Sequence, residues 1–306
     1  MRRWVEAMRG ERYADAWAME RATIAARHPA TRDDPALPYH LRWVWDGRAL
    51  DDRDVLVRCY HGLGDTIQFA RYLPALAARA RRVTLEVQPS LVPLLSHRAE
   101  RVVPFDPAHP LPWAECDIEI TELSGALRLA PDAAPVPYLA ADAIPSGAIG
   151  VCYAAGDWDG ERSIPSALLA PLCEAFDCVT LVAEPTALPV RNPAGCPFDM
   201  PATAALVASV ELVVTVDTMI AHLAGAMGKP TWLLLKAEPD WRWNPARRDT
   251  PWYPTMCLYP QATPGDWAPV LAEVARDLAD LPFRSHQWPA SPPRPFPSPG
   301  ASCSTS

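Results

Sequence analysis

Two short stretches, about 150 residues apart, hold the side chains of this sequence best placed to do chemistry. In Tyr60-His61-Gly62-Leu63-Gly64-Asp65-Thr66-Ile67-Gln68-Phe69, a strand-like run ends in two glycines and a carboxylate. Glycines let backbone approach a ligand closely. A carboxylate at a helix start is stabilised by the N–H groups and the helix dipole there. Asp65 therefore has two readings, a helix N-cap or a working acid–base group. In the second stretch, Val213-Val214-Thr215-Val216 runs directly into Asp217-Thr218 and then Met219-Ile220-Ala221-His222-Leu223-Ala224-Gly225-Ala226. The first N–H groups of a helix opening at Thr218 suit an anion such as a diphosphate. Asp217 either accepts hydrogen bonds from sugar hydroxyls or caps the helix. His222 lies one turn beyond Thr218 on the same side, as a ligand contact or as a core residue.

Two further segments bear on the same chemistry. Arg162, in Glu161-Arg162-Ser163-Ile164-Pro165, precedes a helix start. Its guanidinium suits bidentate binding of phosphate oxygens, and equally a surface ion pair. Asp240-Trp241-Arg242-Trp243 and Pro251-Trp252-Tyr253-Pro254 are dense in aromatic rings, which suit stacking on a sugar or base, or plain packing. The two glycines before Asp65 do not make a dinucleotide fingerprint, and the Lys-Ser/Thr of a P-loop is missing.

Alternating strands and helices must position these groups. Strand patterns at 55–59, 83–87, 101–103 and 117–120 alternate with helical patterns at 65–80, 89–96 and 123–129. Pro74 falls inside the first helix and either kinks it or marks its effective start. A second series has strands at 148–153, 178–183, 212–216 and 230–235, with helices at 165–176, 202–209 and 218–227. Such alternation predicts parallel, doubly wound sheets. Ligands of such sheets sit at the carboxyl ends of the strands, where both stretches fall, so two half-sites facing one cleft are expected. The organisation read from this is a helical extension over 1–30 and a linker over 31–53. One α/β domain follows over 54–147 and a second over 148–281, with a proline-rich connector at 131–145 between them. A last helix, 267–280, is expected to return toward the first domain. The Pro/Ser-rich tail 282–306 is expected to be disordered.

Composition narrows the function classes. A net charge of -8 over 306 residues argues against a nucleic-acid partner. No apolar run reaches the roughly 18 residues of a transmembrane segment, and the start has no signal-peptide core. The eight cysteines form no Cys-x-x-Cys pair and read as buried, reduced thiols of a cytoplasmic protein, with no metal site. Lysine occurs only at Lys229 and Lys236.

Taken together, these motifs resemble glycosyltransferase family 9, the heptosyltransferase-like enzymes, and more closely the glycosyltransferase module that follows tetratricopeptide repeats in bacterial proteins. The resemblance rests on residues 62–72, Leu85-Glu86-Val87-Gln88-Pro89, Arg162-Ser163-Ile164-Pro165, Asp217-Thr218 with Ala221–Ala226, Pro239–Trp243 and Thr250–Met256, in order, over about residues 40–280. Residues 10–20 are similar to the last repeat helix before such modules. The resemblance implies a GT-B architecture of two Rossmann-like domains and metal-independent, inverting transfer of a sugar from a nucleotide-sugar, with no other cofactor. Asp65 is then the general base. Arg162, Ser163, Asp217, Thr218 and His222 belong to the donor site, and His61, Gly62, Gly64, Gln68, Glu119, Asp240 and Trp241 are cleft or acceptor candidates. A glycan or a protein, such as a surface or flagellar protein, is the implied acceptor. The chain departs from the family at Tyr60-His61, in the acidic loop Gly156–Glu161, and at Lys236-Ala237. Two other readings stay open: a catalytically weak binding module, and another GT-B enzyme such as a sugar-nucleotide epimerase.

Overall fold

The structure, a computed structural model, describes residues 2–281, apart from the side chains of Asp157 and Trp158. The expected disordered tail lies outside the described residues. By its contacts the chain divides between Pro135 and Val136 into two compact units.

The first unit opens with a helix pair, α1 (Arg2–Arg9) and α2 (Tyr13–Ala26), separated at Gly10. Only Ala7, Met8 and Ala16 of the pair are buried, so it adds little to the core. Residues 28–53 form two short 3₁₀ turns in an ordered loop, tied by Arg32–Asp46 at 2.9 Å and Arg42–Asp33 at 3.4 Å. Then come β1 (Asp54–Arg58), α3 (Leu63–Phe69), α4 (Leu73–Ala77), β2 (Arg82–Val87), α5 (Val92–Leu95), β3 (Arg101–Pro104), β4 (Cys116–Glu119) and α6 (Leu123–Leu127). The strands are all parallel, in the order β3-β2-β1-β4. The single helix expected over 65–80 is two helices joined by a 3₁₀ turn at Ala70–Tyr72. Pro74 stands in the first turn of α4, where its missing N–H costs nothing, so it marks a start and not a kink.

One buried ionic group secures this sheet. Arg58, only 1% exposed, donates Nε to Asp117 at 2.8 Å and Nη1 to Glu86 at 3.0 Å, while Nη2 reaches the Leu111 carbonyl at 3.0 Å. The N–H groups of Leu111 and Ala114 return bonds to Glu86 and Asp117 at 2.7 and 2.8 Å. The carboxylates are thus matched by cation and amide donors, and the loop between β3 and β4 is stapled onto the sheet.

The second unit contains β5 (Ile149–Cys152), α7 (Ala170–Ala175), β6 (Cys178–Thr180), α8 (Met200–Ser209), β7 (Leu212–Val216), α9 (Met219–Ala226), β8 (Thr231–Leu235), β9 (Met256–Pro260) and α10 (Ala268–Asp280). Its strands are parallel in the order β6-β5-β7-β8-β9. Every residue of β7 and β8 is buried, as expected for a parallel sheet covered on both faces. The strand β9 was not expected, since Met256–Pro260 is short and flanked by prolines in an aromatic run. The last helix is a member of this unit's own core. Val270, Leu271, Val274 and Leu278 pack with Trp232, Leu234 and Tyr259, and the Tyr259 hydroxyl donates to Asp277 at 2.8 Å. Seven cysteines lie buried among the described residues. No described helix is long and apolar enough to cross a membrane.

Candidate active site

A doubly wound sheet opens a crevice where its strand order reverses direction. In the first sheet that point lies between β1 and β4, and the first stretch of chemistry stands there. The chain leaves β1 through Tyr60 and His61, and α3 begins after Gly62. Gly62 is the N-cap residue, and its N–H donates to Asp65 Oδ2 at 3.1 Å. Asp65 is therefore the third residue of the helix and not its N-cap, because the helix starts two residues earlier than its polar signal suggested. From β4, Glu119 is buried and accepts from the N–H groups of Tyr60 at 3.2 Å and Thr121 at 2.7 Å, and from the Thr121 hydroxyl. His61 Nδ1 lies 3.0 Å from Glu119 Oε1, with the imidazole about a third exposed and the carboxylate enclosed. Glu122 accepts from the N–H groups of Glu119 and Trp45. Burial first, and the Glu119 charge next, push Glu122 up to about 8 against those bonds. His61, Gly62 and Asp65 thus share one turn that Glu119 meets from the end of β4, and Gly64 lies in the helix's first turn. Gln68 does not join them, being fully buried on α3.

Gln88, just past β2, holds this turn in place. Its amide donates to the His61 carbonyl at 2.7 Å and its oxygen accepts from the Thr66 hydroxyl at 3.0 Å. In the sequence it stands only within the motif at 85–89, and a polar amide directly after a buried strand is the signal that marks it.

In the second sheet the reversal lies between β5 and β7. The loop after β5 brings Arg162, whose Nη1 donates to the Asp217 carbonyl at 2.8 Å. Thr218 is the N-cap of α9, so the first N–H groups of that helix open beside the guanidinium. A cation next to a helix N-terminus makes an anion site. Ser163 supports the loop by accepting from the Ala155 N–H at 3.0 Å. Behind the helix start, Asp217 and His222 are both buried, with Asp217 Oδ1 4.0 Å from His222 Nε2. His222 Nδ1 is 3.0 Å from the Tyr253 hydroxyl, and its ring stacks on Trp243 at 5.8 Å. Burial, and then the charge of Asp240, push Asp217 up to about 6 against the opposing pull of Arg242, Trp243 and Arg162.

The aromatic run resolves mostly as packing. Trp243, Trp252 and Tyr253 are buried to within 2%. Trp241 stands partly exposed, edge-on to Trp252, with the Arg242 guanidinium 4.4 Å over its ring. Arg242 also holds Asp240 at 2.7 Å. Asp240 and Trp241 therefore form an ordered face on the loop whose Asp240 field reaches Asp217. Lys236, given no role from sequence, sits between Asp159 and Glu161 at 2.9 and 3.0 Å.

No protein-family model matches the chain. The protein FlbA of Caulobacter vibrioides is 25% identical over 289 residues, covering 78% of this chain. The chain spans about half the length of that curated relative, 48% of it. Among solved structures, the iron-containing dodecameric glycosyltransferase TibC from enterotoxigenic E. coli matches with a TM-score of 0.52 at 16% identity, over 73% of this chain and 67% of that one. The E. coli heptosyltransferase WaaC with ADP matches with a TM-score of 0.51 at 12% identity, over 74% of this chain and 98% of that one. Two parallel-sheet α/β units of this topology make the GT-B fold of the family 9 heptosyltransferases.

Proposed function

We propose that the protein is a glycosyltransferase that moves a sugar from a nucleotide-sugar to a glycan or protein acceptor, without a metal and with inversion. The observation that carries this reading is the anion site at the reversal point of the second sheet. There Arg162 is bonded to the Asp217 carbonyl beside the N-terminus of α9. A fixed cation and aligned N–H dipoles stabilise the charge that grows on a departing nucleoside diphosphate. Asp65 takes the proton of the acceptor hydroxyl as its oxygen bonds to the anomeric carbon and the bond to the diphosphate breaks. A single displacement of this kind inverts the anomeric centre. Asp217, whose carboxylate is held under strain by burial, accepts from the sugar hydroxyls, while His222 orders the surrounding aromatic loop. A solved relative of the same fold holds ADP, which makes an adenosine diphosphate sugar the first donor to try. The reaction is placed in the cytoplasm, with a surface or flagellar protein among the acceptors to test. The weak-binding alternative rested on the acidic loop at 156–161, and two of its carboxylates, Asp159 and Glu161, are matched by Lys236.

The test is Asp65→Asn with an identified donor and acceptor. Asn retains an oxygen to accept the Gly62 N–H, so stability should change by no more than about 1 kcal/mol. Turnover should fall by roughly 10²–10⁴-fold at saturating donor. Near-wild-type turnover would assign Asp65 to structure alone, with His61 and Glu119 next as the base.

A further inference from the structure

The loop Gly156–Glu161 is acidic where an anionic donor is to bind, which on charge alone is the wrong sign. The structure shows how that charge is balanced. Lys236, the first residue beyond β8, places Nζ 2.9 Å from Asp159 Oδ2 and 3.0 Å from Glu161 Oε2. The same Asp159 oxygen lies 3.7 Å from Arg162 Nε. Arg162 in turn donates to the Asp217 carbonyl at 2.8 Å, next to the N-cap of α9. Two cations and two carboxylates thus form one continuous chain, Glu161–Lys236–Asp159–Arg162, ending at the helix N-terminus. Lys236 and Asp159 are about one-fifth exposed, whereas Glu161 is 82% exposed. The Asp159 carboxylate first, and Glu161 beside it, hold the ammonium above the usual lysine range against the pull of burial.

We propose that Lys236 is a second phosphate-binding cation of the donor site, and that Asp159 and Glu161 are internal anions that occupy it until a nucleoside diphosphate displaces them. This deepens the nucleotide-sugar reading above and rests on it. An exposed ion pair contributes little to stability, so exchanging Glu161 for a phosphate oxygen is inexpensive. Phosphate carries more charge than a carboxylate and bonds both cations at once. The carboxylates remain alongside and reclaim Lys236 as the product diphosphate leaves, which weakens product retention. Lys236 thereby supplies, from the end of β8, the positive charge that the loop after β5 lacks.

The experiment is calorimetric titration of the full chain with ADP, GDP, UDP and CDP, and with the matching nucleosides, using wild type, Lys236→Met, Lys236→Arg, the pair Asp159→Asn/Glu161→Gln, and Arg162→Ala. Melting temperature is recorded for each. Lys236→Met should weaken the preferred diphosphate by about 10-fold or more, the scale of a lost charge-assisted bond, and leave the nucleoside unchanged. Lys236→Arg should restore most of the loss. The neutralised acidic pair should tighten diphosphate binding by about 3-fold or more, since the competing anions are gone. Two results overturn the proposal while sparing the donor reading: Lys236→Met binding as wild type while Arg162→Ala is weakened, or the acidic pair binding more weakly. If wild type binds no nucleoside diphosphate at all, the donor reading fails and this proposal fails with it.

Discussion

Gly225→Ala is a substitution whose outcome the packing of the second unit constrains tightly. Gly225 lies in α9, where helix propensity alone favours alanine by about 1 kcal/mol. A Cβ at this position would stand 2.5 Å from Cδ1 and Cγ of Tyr253 and 2.8 Å from Cδ2. Carbon atoms in good contact are about 3.5–4.0 Å apart, so the ring must retreat by roughly 1 Å. It has little room to do so, being fully buried, with its hydroxyl 3.0 Å from His222 Nδ1 and His222 stacked on Trp243. Overpacking costs about 1–3 kcal/mol. Losing the buried hydroxyl–imidazole bond costs about 1–3 kcal/mol more. Set against the gain in propensity, the net loss is about 1–5 kcal/mol, readable as a lower urea midpoint at unchanged slope. The control is the same change in a Tyr253→Ala background, where the ring is gone and alanine should be neutral or slightly stabilising. A Gly225→Ala protein as stable as wild type, or a loss that persists without Tyr253, would refute the view that the glycine exists to admit that ring.

Asp217→Asn should stabilise the protein above pH 6 and weaken donor binding. The folded carboxyl titrates near 6 against an ordinary 3.8, so the native state keeps a proton that the unfolded chain releases. Wild-type stability therefore falls as pH rises from about 4 to 6, by at most about 3 kcal/mol, and Asn should flatten that slope in denaturant melts at several pH values. Glu122→Gln should likewise remove a loss of stability spread between its ordinary value and about 8, measured over the same series. Arg58→Met strips the cation from two buried carboxylates and should cost about 3–5 kcal/mol at pH 7. Part of that loss should return as pH falls and Glu86 and Asp117 take up protons, since burial already raises both. A loss that does not change with pH would show that the packing of the Arg58 stem, not its charge, is what matters.

The alternation of strands and helices was legible because each parallel strand is a near-continuous apolar run, as in Leu212–Val216 and Thr231–Leu235. Where that signal failed, the cause was non-local. Met256–Pro260 pairs with β8 only because the folded loop at 238–254 delivers it there, and its flanking prolines read as loop. The start of α3 was misplaced because a glycine served as N-cap while the carboxylate took the third position. The turn's exact pose is fixed by Gln88, reaching from the end of β2, 27 residues past His61. The neutralisation of Asp159 and Glu161 depends on Lys236, 75 residues beyond Glu161, a distance over which no local pattern carries information.

The carboxylates of the Arg58 cluster and that of Asp217 are all buried and raised by desolvation, but they differ in what surrounds them. Arg58, Glu86 and Asp117 are matched to one another and to two backbone amides, so that cluster is explained by the loop it fastens. Asp217 is not matched in that way. His222 Nε2 stands 4.0 Å from its carboxylate, and burial, then the like charge of Asp240, drive its titration upward despite the Trp243 hydrogen bond and the arginines around it. A fold selected only for stability would replace such a carboxylate, because its uncharged isostere removes the penalty. On the donor-site reading proposed above, a group that costs stability and stands at the reversal point of a sheet, beside a helix N-terminus and a guanidinium, is the one to meet the donor sugar. A sugar hydroxyl donating to that oxygen would relieve the penalty on binding, and the size of the relief is the amount by which donor should lower the apparent titration point of Asp217.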